Sequence, residues 1–570
     1  GFAVNGSSIP EVGFDVGESY AGLLPINSSN AASGELFFWL FPSTNPTAIQ
    51  NKEIIIWLSG GPGCSSLAEF LQFNGPISWK PGTFQPISNK FSWHRLSNVV
   101  WIDQPLGTGY SSGTPTARNE ADVASQFLSF WSGFSSTFGI DPAWKIYLAG
   151  SSYSGMYIPY ISSALLRSPT LNASLSGVLL LSPLLNNPAL YTSIPAAHFA
   201  HANPWALPFN ASFSSAIRSA SSECNYTSYL SRYLTFPPNL ATAGGGPQPS
   251  NIPLLPSNAS CALSQTILAA ARSLNPCFTP YDVSVSCPLP LDPLGFSYGN
   301  FALFPSGPPY FDRADVKSLL HVPAATNWSC CAPPAKPVFA GPAGGLDETL
   351  LSGQGSFPVL AQVIERTGNV IVGTGARDFQ LVAEGTLLTI QNLTWNGATG
   401  FQNRPTGGLY LPSSSSSSNI SSSSSSSSKG IVGTVHTERG LTWFGSAMAG
   451  HFIGRDQPAL AFRAVEVLLG RVSGLGSTQG WSVAPLGGGG GNETAGEVSL
   501  DGTVIVEEGV GLRVGNEVVG GQGQGGNANS GTENSSTDAA AATGGVDRKR
   551  VDVGLIGLLG FIAMIFVLVL

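Results

Sequence analysis

The sequence predicts an α/β domain, a parallel or mixed sheet covered by helices, and three observations carry that expectation. Short β-branched and aromatic runs recur between residues 35 and 471: 53–58 (EIIIWL), 98–102 (NVVWI), 145–149 (KIYLA), 178–184 and 369–372. Amphipathic stretches of helical length separate them, the alternation that buries a sheet under helices. Of 570 residues 42% are hydrophobic and only 10% charged, against roughly 25% charged in an ordinary soluble domain. That leaves enough apolar material for one large core.

The net charge of -8 provides no basic stripe and excludes nucleic acid as a partner. Residues 1–34 form an N-terminal segment ahead of the first sheet strand, expected at 36–40, and 35–471 form the α/β domain. Within it, 185–325 loosens into Pro-rich text carrying Cys224, Cys261, Cys277 and Cys287, an insertion stapled by disulfides that would cap the ligand-binding edge of the sheet. Residues 413–428 are almost pure serine and cannot repay the entropy of ordering, so a disordered loop is expected there. From 473 to 552 the text becomes a Gly-, Ser- and Asn-rich flexible stalk, with a hint of short strands at 497–519.

Eleven Asn-x-Ser/Thr sequons, at Asn5, Asn27, Asn172, Asn210, Asn225, Asn258, Asn327, Asn392, Asn419, Asn492 and Asn534, accompany seven cysteines. Together they indicate the secretory route and N-linked glycans. Residues 553–570 form an uninterrupted apolar tail preceded by Arg548-Lys549-Arg550. A retained helix would put those charges on the wrong side of the membrane. Small residues at 538–545, a polar spacer and an apolar end match a cleaved glycolipid-anchor signal better, so the membrane is expected to be reached through a lipid anchor, or else through a C-terminal helix.

The sharpest chemical signal is 145–160 (KIYLAGSSYSGMYIPY), an apolar strand running into small residues around a serine and then into a helical stretch. A nucleophilic serine on a tight strand-to-helix turn needs small neighbours and a nearby helix N-terminus. Gly150, Ser152 and Ser154 occupy the G-x-S-x-G frame with its last glycine replaced. A base and an orienting carboxylate should follow in the order Asp, His. Asp378 comes after the strand-like 369–372, and His451 comes 73 residues later, ahead of an amphipathic segment. His436, among charged neighbours in TVHTERGL, reads as structural. The run 56–67 (IWLSGGPGCSSL) is either a Gly-Pro turn or a loop whose backbone N–H, with that of Tyr153, faces a developing oxyanion.

These residues resemble the serine carboxypeptidase family, in a divergent form of the fungal type, over roughly 13–471. The motifs are WLSGGPGCSSL (57–67), NVVWIDQPLGTGYS (98–111), GSSYSGMYIPYI (150–161), GARDF (375–379) and AGH (449–451). The resemblance implies an α/β-hydrolase fold with Ser152 as nucleophile, His451 as base, Asp378 as its orienter, and Gly61 with Tyr153 as oxyanion donors. The hexapeptide GESYAG at 17–22 matches the family's usual nucleophile motif. It has no buried strand before it, so Ser19 is read as non-catalytic.

The departures concern the substrate's terminal carboxylate. Family members hold it with an Asn and two Glu, and the matching substrate-binding positions here are Ser59, Ser151 and Phe73. A serine hydroxyl still donates to a carboxylate, but neutral bonds are about half as strong as charge-assisted ones. The expectation is a serine carboxypeptidase-like hydrolase acting on peptides with weakened or altered carboxylate recognition. The alternatives are an esterase or acyltransferase on the same scaffold, and an inactive surface glycoprotein. The resemblance pairs Cys64 with Cys331, leaving Cys330 spare, at about 2 to 4 kcal/mol of stabilisation. The other four cysteines permit three connectivities. No cofactor and no metal are expected.

Overall fold

In a computed structural model of the chain, residues 1–27, 33–168, 174–239, 261–294, 307–341, 344–412 and 430–483 are described, with the backbone of two more strands, Thr503–Val506 and Leu512–Gly515. The serine run, most of the expected stalk and the apolar tail lie outside the described residues, so the anchor does too. The two late strands pair antiparallel within the region where short strands were anticipated.

Six parallel strands make the centre of the sheet, in the order Asn98–Asp103, Glu53–Leu58, Lys145–Ser151, Ser174–Leu181, Val370–Gly375 and Leu441–Ser446. Alternation sorts their side chains between two cores, as the twofold period of a strand requires. Ile54, Ile56, Ile146, Leu148, Val178 and Leu180 join a cluster with Phe127, Phe130 and Phe134 of the helix Glu120–Phe138. Ile55, Trp57, Tyr147, Ala149, Leu179 and Leu181 face the other way, onto Leu460, Phe462 and Val465 of the helix Pro458–Leu468.

One difference from expectation lies at the N-terminus. Ser19–Asn27 is itself a strand, antiparallel to Ser33–Phe41, which in turn pairs antiparallel with Asn98–Asp103. The sheet therefore starts well before residue 36. Charged and turn-forming residues around Gly17 and Glu18 hid this strand from the hydrophobic pattern.

Between Leu181 and Val370 the chain builds the cap from helices Ala196–Ala202, Ala211–Glu223, Tyr226–Tyr233 and Leu263–Leu274. Phe199, Ile217, Ile267 and Phe278 form its own apolar cluster, and Phe379 reaches into it. Disulfides Cys224–Cys261 and Cys277–Cys287 close its loops. Among the described residues no helix is long and apolar enough to cross a membrane.

Candidate active site

All six parallel strands end on one edge, and Ser152, Asp378 and His451 follow three of those ends. Lys145–Ser151 leaves the sheet interior buried at every position but the first, and the helix Ser154–Arg167 begins three residues after it. The turn between them holds Ser152 at φ 59°, in the left-handed region an ordinary side chain avoids. Ser152 N donates to Leu181 O at 2.9 Å, and Ser152 O accepts from Leu184 N at 3.0 Å, so the neighbouring strand fixes the strained residue.

The glycine loop after Glu53–Leu58 lies directly on this turn. A Cβ at Gly60 would stand 2.5 Å from Tyr153 N and 2.9 Å from the Ser152 Cβ, so only glycine permits the approach. Neither the Gly61 nor the Tyr153 amide donates to a loop or turn carbonyl among the described residues. Both remain available to an oxyanion.

His451 Nδ1 lies 2.7 Å from Asp378 Oδ2, with both side chains sealed from solvent. Asp378 Oδ1 accepts from Leu381 N at 2.8 Å. Burial pushes the Asp378 carboxyl above its usual range, and the pairing with His451 pulls it part of the way back. The bonding pattern assigns the Nδ1 proton to the Asp378 side. That makes Nε2 the acceptor, and it is buried with no hydrogen-bond partner among the described residues.

The two competing residues stand apart. His436 sits on Gly430–Glu438 with Nε2 2.8 Å from Glu438 Oε1, its ring packed edge-on to Phe401. Ser19 is buried at the start of its strand and accepts from Trp39 Nε1 at 3.1 Å.

Beside Ser152 the structure supplies a carboxyl that the motif reading did not anticipate. Glu69 ends the short helix Ser66–Glu69 and is buried. Its Oε2 accepts from Trp57 Nε1 at 2.8 Å and from the Ser59 hydroxyl, while Oε1 accepts from the Ser151 hydroxyl. Burial raises its pKa, against these three bonds and the charge of His451. Phe73 follows four residues later and offers only a ring, packed 6.0 Å from Trp57 and 6.2 Å from Phe452.

The family model for serine carboxypeptidases matches residues 10–471. The chain belongs to the serine carboxypeptidase family. It is 39% identical to a probable serine carboxypeptidase of Arthroderma benhamiae, covering 83% of this chain and 87% of that one. It is also 39% identical to the serine-type carboxypeptidase F of Aspergillus niger, covering 81% and 86%. The crystal structure of Kex1Δp, a prohormone-processing carboxypeptidase from Saccharomyces cerevisiae, superposes with a TM-score of 0.60 at 21% identity, covering 82% of this chain and 96% of that one. That likeness shows the α/β-hydrolase fold. The protein is an enzyme, a serine-type carboxypeptidase.

In this carboxypeptidase Cys64 is bonded to Cys331, joining the glycine loop to the chain beyond the cap. Backbone bonds from Ser65 N to Cys330 O and from Ala332 N to Gly63 O, both 2.8 Å, flank the link. Cys330 is the free thiol, partly buried, and desolvation raises its pKa above the usual thiol value. Glu69 is the residue that motif matching missed. Its signal was the spacing of four from Phe73, which on a helix puts both residues on one face.

Proposed function

We propose that this carboxypeptidase releases C-terminal residues from peptides through an acyl-enzyme on Ser152, and that Glu69 alters how the terminal carboxylate is recognised. Ser152 attacks the scissile carbonyl and passes its proton to Nε2 of His451. Asp378 holds the imidazole in the productive tautomer, and the Gly61 and Tyr153 amides bind the developing oxyanion. The arrangement of the His451–Asp378 pair and the strained Ser152 on one sheet edge supports this assignment.

The observation that carries the altered recognition is that Glu69 already engages the Ser59 and Ser151 hydroxyls. When ionised it repels a second carboxylate and occupies its donors. When protonated it donates to that carboxylate instead. Free-acid peptides therefore bind with uptake of a proton, whereas neutral C-termini, amides and esters, bind without one. Exopeptidase selectivity is weakened as the pH rises.

Cleavage of matched free-acid and amidated peptides across about pH 4 to 8 tests this. The expected result is a free-acid preference confined to the acid end. A preference of the same size at every pH overturns the role of Glu69. Labelling of Ser152 by a fluorophosphonate, lost in Ser152→Ala, tests the nucleophile.

The protein follows the secretory route and is held at the cell surface by its C-terminus. Three disulfides and the exposure of sequon residues Asn5, Asn210, Asn225 and Asn327 support the first half. Release of activity from intact cells by a phosphatidylinositol-specific phospholipase is expected for the lipid anchor. Retention points to the helix.

A further inference from the structure

Three loops meet behind His451, and each touches a residue adjacent to the catalytic pair. The first, closed by Cys277–Cys287, receives His451 N on Tyr281 O at 2.6 Å, and Phe379 N and Gln380 N on Pro280 O at 2.8 and 2.9 Å. The second and third are joined by Arg377 N on Ala449 O at 3.0 Å, and Val283 N on Arg377 O at 3.1 Å returns to the first. A Cβ at Gly450 would lie 2.4 Å from Tyr281 O, so the residue before the histidine must be small for the loops to close.

Charge laces the same point. Arg377 Nη2 lies 3.1 Å from Asp282 Oδ2 and 4.0 Å from Asp456 Oδ2. Asp456 Oδ2 accepts the amide of Gly450 at 2.8 Å, while its Oδ1 is 3.2 Å from Arg455 Nε. Lys80 Nζ, from the neighbouring hairpin, donates to Arg455 O at 2.6 Å, and Lys90 adds positive charge nearby. Arg377 precedes Asp378 and Gly450 precedes His451, so one ionic cluster grips the backbone beside both members of the pair.

We propose that Arg377 is a positioning residue which, by bridging Asp282 and Asp456, sets the angle and distance at which His451 meets Asp378. Without its guanidinium Asp282 loses the cation it pairs with and Asp456 keeps only Arg455, so the two carboxylates push apart. Asp456 carries Gly450 with it, and His451 follows. A displacement of about 1 Å in a catalytic group lowers turnover on the order of 100-fold. The substrate is gripped elsewhere, so KM is spared.

The inference rests on His451 as the base of Ser152, and fluorophosphonate labelling of the unmodified enzyme at Ser152 checks that reading separately. Arg377→Met is expected to lower kcat about 10- to 100-fold with KM within about twofold, and to shift the acid limb of the kcat/KM pH profile. Arg377→Lys is expected to recover most of the loss. Adding Asp282→Asn to Arg377→Met, which removes one of the facing charges, is expected to restore part of kcat. An unchanged kcat in Arg377→Met overturns the proposal, as does a loss that the second substitution leaves untouched. If Arg377→Met does not fold, Arg377→Gln decides: a lower kcat at unchanged KM and melting temperature supports the clamp, and full activity overturns it.

Discussion

Glu69 accepts a hydrogen bond from the hydroxyl of Ser151, the residue immediately before Ser152, so a buried carboxyl is tied to the turn that carries the proposed nucleophile. Its oxygens also take the Trp57 and Ser59 donors, so in the proposed recognition a terminal carboxylate finds these donors occupied unless Glu69 is protonated. Burial holds its pKa above the usual carboxyl value, against its three hydrogen bonds.

Glu69→Gln should therefore flatten the pH dependence. A glutamine amide keeps an acceptor for the tryptophan and serine donors and offers N–H to a carboxylate at every pH. The unmodified enzyme is expected to lose free-acid kcat/KM about tenfold per pH unit above the Glu69 pKa, and the variant to stay level. Parallel profiles for the two enzymes would exclude Glu69 from substrate recognition.

Asp378→Asn tests the other polar pair. An amide facing Nδ1 leaves no acceptor dedicated to the imidazole N–H, so the ring turns its proton toward Nε2 and stops being a base for Ser152. A fall in kcat on the order of 10³ to 10⁴, at nearly constant KM, is the expected outcome of steady-state kinetics. A loss below about tenfold would assign the base elsewhere.

The sequence made the sheet and the pair legible because both leave local marks. Runs such as 53–58 are buried at every position and apolar after Glu53, as a strand buried on both faces requires. Small residues around Ser152 report the close approach of the glycine loop. Glu69 escaped because a motif is read position by position, whereas a site is filled by whichever side chain reaches it. A carboxyl displaced by one helical turn vanishes from the motif and stays on the same face. The strand Ser19–Asn27 escaped for a related reason: half of a strand's character comes from its partner, here chiefly Ser33–Phe41.

The Cys64–Cys331 link ties the loop carrying Gly61 to a segment 267 residues away. Closing so long a loop constrains the unfolded chain, so replacing both cysteines by serine should cost about 2 to 4 kcal/mol, read as a lower urea midpoint. The same change frees the glycine loop beside Tyr153, so kcat should fall more than KM rises. Unaltered kcat alongside lowered stability would show that the loop is held by its backbone bonds to Cys330 and Ala332 alone.

Stability should decline as the pH rises, and Asp103 gives the window. Its Oδ1 accepts from the Ser65 hydroxyl and Ser66 N, both at 2.8 Å, and its Oδ2 accepts from Tyr110 N at 3.0 Å. Burial nevertheless carries its pKa from the usual 3.8 up to about 6, because desolvation outweighs those bonds. A raised folded pKa means that the native state holds a proton the unfolded chain has released. The contribution is whole below the unfolded value and is lost as pH rises through the folded one, about 3 kcal/mol for a shift of this size. Glu69, Glu120 and Asp347 are shifted in the same direction by burial and steepen the decline. Urea midpoints measured between about pH 4 and 7 should fall for the unmodified protein. In Asp103→Asn the midpoint should start lower, since one oxygen acceptor is gone, and fall less over the same range. Equal slopes for the two proteins would mean that Asp103 stays ionised in the fold, its three donors outweighing the loss of water.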